Sequence, residues 1–401
     1  MQKTILIIGA GFGGFWSALS AVRLLDQHGR DDIAVQVLAP VAELRVRPRF
    51  YEPQVHTMRT SLTELFEETG VQFITGLAQQ IDVEQQTVSY LDQSGVLATL
   101  GYSALVLAAG STLNLPNIDG LQAHAFNVDS IEQAERLETH MQRLAALPDT
   151  LARNTVVVAG GGFTGIETAC EMPARLREIL DVDCQARVII IDRAQSVGAS
   201  MGAAIAPVIA EATAELGVEW CLASSVVAVD EQGVTLADGQ RIDAATVVWT
   251  AGVRASELTA QVPAERDPLG RLHVDANLRV IGSHTVFATG DSAYAACDDQ
   301  GNYAMMTCQH AIALGRSAGN NAAAQLIGVA PVPYRQSKYV TCLDLGAWGA
   351  VFTEGWDRQV KLVRQEGKAL KTQINTQWIY PPIADRDVAL AAADPLIPVV
   401  A

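Results

Sequence analysis

Two stretches of this chain, ILIIGAGFGGFWSAL (residues 5–19) and VVVAGGGFTGIETACEM (residues 156–172), share one construction. Each is an apolar run of strand length that breaks into closely spaced glycines and continues as a helical pattern. Gly9, Gly11 and Gly14 fit G-x-G-x-x-G, and Gly160, Gly162 and Gly165 repeat it. In such a turn the first glycine permits the tight bend, the second lets a diphosphate approach the backbone, and the third lets helix pack on strand. The helix after the turn offers free N–H groups and a partial positive charge to the anion. A structural strand-to-helix turn with no ligand is the alternative for each. Two such units in one chain predict a duplicated dinucleotide-binding fold.

The remaining pattern agrees. Strand-like apolar runs at 4–8, 33–38, 71–74, 104–108, 155–159, 187–191, 246–250 and 284–288 alternate with helical stretches such as 14–27, 130–147 and 164–180. That alternation predicts an α/β protein of parallel sheets with crossover helices. At 401 residues the chain suits two or three domains. The expected division gives residues 1–115 and 281–330 to the first Rossmann-like fold. Residues 116–280 form a second one inserted within it, and residues 331–401 a smaller C-terminal α+β region.

Composition excludes several classes. A formal charge of −16 repels phosphodiester backbones and anionic lipid, so no nucleic-acid partner is expected. No apolar run approaches the roughly 20 residues that span a bilayer. The start, MQKTILIIGAG, lacks the basic region and cleavage site of a signal peptide. A cytoplasmic protein is expected, with peripheral attachment to the inner face of the membrane as the alternative. Six cysteines are scattered without a C-x-x-C pair, which argues against a disulfide framework, a zinc ribbon and a dithiol centre; no metal site is expected.

The two turns differ in how their second strands end. After the first turn, that strand reads VQVLAP and ends in Ala39 and Pro40, where an acidic residue would hold the adenosine ribose; Glu43 is the one nearby substitute. After the second, RVIIID ends in Asp192, a carboxylate suited to both ribose hydroxyls of NADH and repulsive to the extra phosphate of NADPH. Arg193 beside it could face a 2′-phosphate, so NADPH is the less favoured donor; a strand cap is the bland reading of Asp192. Glu167, two residues past Gly165, is expected in the first helical turn. There it either answers the helix dipole or reaches the nicotinamide half of a bound nucleotide.

Taken with LVLAAGS (105–111), VVWTAGV (247–253) and VFATGDSA (286–293), the two turns resemble the flavoproteins with two dinucleotide-binding domains, the pyridine nucleotide-disulfide oxidoreductase superfamily. The resemblance implies FAD on the first fold, held by Gly9, Gly11, Gly14, Ala109, Gly110, Gly290 and Asp291. It implies NADH on the inserted fold, held by Gly160, Gly162, Gly165, Asp192 and Gly252. Within the superfamily GGGFTGIETACEM, RPRFYEPQ (47–54), TCQHAIALG (307–315) and INTQWIYPP (374–382) are most similar to type II NADH dehydrogenases. Those enzymes pass hydride from NADH to FAD N5 and electrons onward to a quinone, with no redox disulfide.

The resemblance also implies catalytic roles for Glu167, at the nicotinamide, and Gln309, at the acceptor. His310 beside Gln309 either bonds or protonates the acceptor, or is an interior histidine satisfied by a backbone carbonyl. The family's second quinone-helix glutamine is Ala313 here, and the tail IADRDVALAAADPLIPVVA (383–401) carries a single arginine and no cationic amphipathic face. The first departure argues against a quinone and the second against a membrane anchor, and both leave the NADH-to-flavin half intact. Tyr51 and Glu52 either line the acceptor pocket or seal the flavin. Trp348 and Trp356 lie in a hairpin-like segment that reads as core or as the face of a homodimer. The expected activity is NADH oxidation with a small, quinone-like acceptor. The alternatives are an NAD(P)H:acceptor flavin reductase serving a soluble biosynthetic or protein acceptor, and a redox sensor.

Overall fold

A computed structural model describes residues 2–399. The first apolar run forms strand Lys3–Ile8 at the centre of a five-stranded parallel sheet. Its neighbours are Ile33–Ala39 and then Gln72–Thr75 on one side, Ala104–Leu107 and then Val286–Ala288 on the other. Ile5 and Ile7 enter one core layer while Leu6 and Ile8 enter another, because successive residues of a strand face opposite sides and both sides are covered. A continuous apolar run is the consequence.

Between Ala104–Leu107 and Val286–Ala288, adjacent in the first sheet, the chain builds a second one. It is a four-stranded parallel sheet in the order Val218–Cys221, Arg187–Ile191, Thr155–Ala159, Thr246–Trp249. Each expected strand lies within two residues of an observed one, and the expected helices are observed as Phe12–Gln27, Ile131–Leu144 and Phe163–Leu180. The sequence reading did not anticipate two three-stranded antiparallel meanders, Leu77–Asp82/Thr87–Leu91/Leu97–Gly101 and Val226–Asp230/Gly233–Leu236/Arg241–Asp243. Their half-exposed strands carry too few apolar residues to stand out from loops.

The helix of the first turn, Phe12–Gln27, packs on the long helix Cys308–Ile327 at backbone distance. A Cβ on Gly319 would lie 1.9 Å from Ser17 O, and Ser17 Oγ donates to Gly315 O at 3.0 Å. The helix of the second turn, Phe163–Leu180, packs instead on the C-terminal region. That region is an antiparallel sheet, Val340–Asp344/Ala350–Glu354/Gln359–Val363, with helix Arg364–Gln373 after it. Leu343, Leu345, Trp348 and Val351 share a core with Ile166 and Cys170, and a Cβ on Gly346 would lie 2.1 Å from Cys170 O. The tail returns to the first sheet's side. Helix Arg386–Ala392 buries Ala389 and Leu390, and Arg386 donates to Thr69 O at 2.9 Å and to Asp26 at 2.7 Å. Among the described residues no helix is long and apolar enough to cross a membrane.

Candidate functional site

The two glycine turns have nearly the same geometry. Gly9 and Gly160 take φ of 106° and 117°, which side chains rarely adopt. A Cβ on Gly14 would lie 1.9 Å from Gly9 O, and one on Gly165 1.8 Å from Gly160 O. The middle glycines are different. A Cβ on Gly11 or Gly162 would meet nothing within 4 Å, and both have ordinary negative φ, −69° and −82°. The chain itself gives no reason for glycine at either place. Close approach of a ligand does, and both residues are N-caps without a side-chain cap, so helix N–H groups face the same open space. The two cradles fit dinucleotide diphosphates.

Around the first cradle, Ala109 and Gly110 come after strand Ala104–Leu107, and Gly290 and Asp291 open the short 3-10 helix Gly290–Ser292. Ser111 Oγ donates to Asp291 Oδ2 at 2.6 Å. Arg47 Nη1 donates to Ser111 Oγ at 2.8 Å, stands 3.9 Å from Asp291, and its other nitrogen pairs with Asp129. Burial pushes the Asp291 carboxyl up, and Ser111 and Arg47 oppose that. Sequence reasoning missed Arg47, Ser111 and Asp129. They come from separate segments, and the one signal was the RPR stretch beside the Tyr–Glu pair. Strand Ile33–Ala39 ends without a carboxylate, and Glu43 stands 3.6 Å from Arg45 and 4.0 Å from Arg59.

Around the second cradle, Asp192 comes directly after strand Arg187–Ile191; its carboxylate accepts from Gly161 N and, at 2.7 Å, from Ala194 N. Gly252 O accepts from Asn114 N at 3.1 Å, and Arg193 is exposed. Glu167 needs a correction. The helix begins at Phe163, one turn before Glu167, so the residue lies in the second turn and the helix dipole is a weak reason for it. It is buried, 3% exposed, and Oε1 accepts from Lys371 Nζ at 2.8 Å and from Asp344 N at 3.0 Å. Lys371 also donates to Cys342 O at 3.0 Å. Burial pushes Glu167 up to about 7 against the pull of Lys371. Burial works against the Lys371 charge too, but Glu167, Cys342 and Asp344 together outweigh it and the lysine is held above its ordinary value.

The acceptor candidates are largely committed to the fold. Gln309 Nε2 donates to Val340 O and its Oε1 accepts from Gln336 Nε2, both at 3.2 Å. His310 is enclosed. Its Nδ1 lies 2.9 Å from Thr307 Oγ1 rather than against a backbone carbonyl, its Nε2 has no partner, and burial pushes it down to about 4, which keeps it neutral. Tyr51 is fully buried with its hydroxyl unpartnered. Glu52 accepts from Arg49 at 2.7 Å and from Asn375 Nδ2 at 2.9 Å. All six cysteines are free, and burial pushes Cys308 and Cys342 up to about 11.

A sequence profile of the pyridine nucleotide-disulphide oxidoreductases matches residues 3–315, and the chain belongs to that family. It is an oxidoreductase that works with a pyridine nucleotide, and it is related to the type II NADH dehydrogenases. It is 43% identical, over 98% of both chains, to an NADH dehydrogenase-like protein of Mycobacterium tuberculosis. A type II NADH:quinone oxidoreductase of that organism is 30% identical over 73% of this chain and 67% of its own. In fold the chain is similar to NDH2 from Plasmodium falciparum solved with NADH, with a TM-score of 0.78, 15% identity and 98% of each chain covered.

Proposed function

We propose that this chain is an FAD-dependent NADH dehydrogenase whose flavin passes electrons directly to a quinone-class acceptor. One observation carries the reading: two cradles, each open at its middle glycine, lie on the N-termini of helices Phe12–Gln27 and Phe163–Leu180. The first would hold FAD, with Asp291, Ser111 and Arg47 at its ribityl and diphosphate side; the second would hold NADH, with Asp192 at the adenosine ribose. When bound, the flavin supplies hydride acceptance and electron release.

The chain's own residues then have definite tasks. The N-terminus of helix Cys308–Ile327, capped by Thr307, would offer a partial positive charge to a bound flavin. Glu167, held by Lys371 and poised near neutrality, keeps a proton at its carboxyl below about 7 and gives it up above. Cysteines kept as thiols support electron release without a disulfide. Tyr51, fully buried, and Glu52, half-buried against Arg49 and Asn375, act as a seal.

Because both ends of Gln309 are engaged and Ala313 is apolar, a soluble acceptor is the second reading. Anaerobic addition of NADH should bleach the yellow protein, and menadione should restore its colour within the steady-state turnover time. Bleaching without restoration by any quinone would remove the acceptor half of the proposal, and no bleaching would remove both halves.

A further inference from the structure

Near the second cradle, Arg358 is a cation held in place without a counter-charge among the described residues. Arg358 lies in the turn between strands Ala350–Glu354 and Gln359–Val363, at the end of the hairpin-like segment that carries Trp348 and Trp356. Its φ of 55° is left-handed, a state that a non-glycine residue keeps only where its surroundings fix it. Here they do. Nη1 donates to Met201 O at 2.6 Å and Nε to Thr341 Oγ1 at 3.2 Å. The guanidinium also lies 5.7 Å from the centroid of the Tyr339 ring, itself stacked on Trp356 at 4.7 Å.

Every one of those partners is neutral. Arg364, at the far end of strand Gln359–Val363, pairs with Glu211 and Glu215, whereas among the described residues Arg358 forms no ion pair, in a chain of formal charge −16. Its Nη2 donates only long hydrogen bonds, to Tyr339 Oη at 3.5 Å and Met305 Sδ at 3.9 Å, so that arm too has no charged partner. The anchor, Met201, belongs to the loop that runs on from Asp192. The adjoining Ser200 Oγ donates to Gly161 O at 3.3 Å, inside the second turn. Through Met201 and Ser200 the guanidinium is tied to Gly161, the residue before the open position at Gly162.

We infer that Arg358 is part of the dinucleotide site, facing the diphosphate of NADH from the C-terminal region. The turn itself offers N–H groups and a helix end, and no formal positive charge. A guanidinium fork supplies that charge with the geometry a phosphate takes. The C-terminal hairpin is then a third wall of the donor site. This inference rests on reading Gly160–Gly165 as the NADH cradle.

Arg358→Gln keeps a donor for Met201 O and removes the charge. Titrating FAD-loaded protein with NADH and with ADP-ribose at low and physiological salt should show Kd raised about tenfold for both and a flatter salt dependence. FAD content and Tm should stay as in the parent, and Arg358→Lys should recover part of the affinity. Parental affinity and salt dependence in Arg358→Gln would overturn the inference and leave Arg358 a strut. Loss confined to NADPH would overturn it too, since the guanidinium would then read a 2′-phosphate. If the parent protein takes up neither NADH nor ADP-ribose, the cradle reading fails and this inference with it.

Discussion

The first and second phosphate turns are near copies in backbone and differ in what stands behind them. Helix Phe12–Gln27 is pressed on helix Cys308–Ile327 with glycine and serine in the seam, a contact with no room to open. Its ribose end has no carboxylate. Helix Phe163–Leu180 is backed by a hairpin from the C-terminal region and crossed by the buried pair Glu167–Lys371, and its ribose end carries Asp192. On the proposed reading, equal turns serve unequal tenancies. A tightly seamed cradle suits a resident group; one walled by a separate region, with a titratable pair beneath it, suits a donor that comes and goes.

Removing Lys371 should damage the second side most. In Lys371→Met, Glu167 is left buried without its cation, a loss of about 3 kcal/mol. The pH dependence has a definite sign. Folded Glu167 keeps its proton up to about 7, while in the unfolded chain it ionises near 4.5. Its contribution therefore makes stability fall as pH rises between those values and level off above them. Without Lys371 the folded carboxyl titrates higher and the fall continues past 7. The Tm gap between variant and parent should be wider at pH 8 than at pH 6; an equal gap would mean the pair is not coupled as the structure has it.

The first side should yield to Gly319→Val. A side chain there meets Ser17 O, and prying the helices apart should cost about 2 kcal/mol and release flavin at a lower temperature. Flavin release unchanged from the parent would show that the seam does not support the cradle. Smallest is Asp192→Ala, which frees Gly161 N and should weaken NADH binding roughly five- to tenfold, about 1 kcal/mol, with FAD content untouched. A loss of flavin in this variant would blur the distinction between the two sides.

The architecture was legible because glycine spacing and buried parallel strands are local signals. Gly9 to Gly14 and Gly160 to Gly165 each declare a turn within six residues, and ATGD marks the chain's return to the first sheet. The partners that complete each site were not legible, since they come from far along the chain. Lys371 lies 204 residues from Glu167, on a helix whose other buried residue is Gly367, so its sequence looks solvated throughout. Arg358 sits in a plain hairpin turn. Gln309 and His310 were found by resemblance, but only coordinates show that Gln309 is spent on Val340 and Gln336 and that His310 is neutral and enclosed.

The division of labour between the turns is tested most directly by Gly162→Val, which fills the open side of the second cradle and leaves the first alone. The purified variant should be yellow, with one FAD per chain, and its flavin should not bleach when NADH is added without oxygen. Flavin reduction at the parental rate, or a colourless variant, would contradict the account.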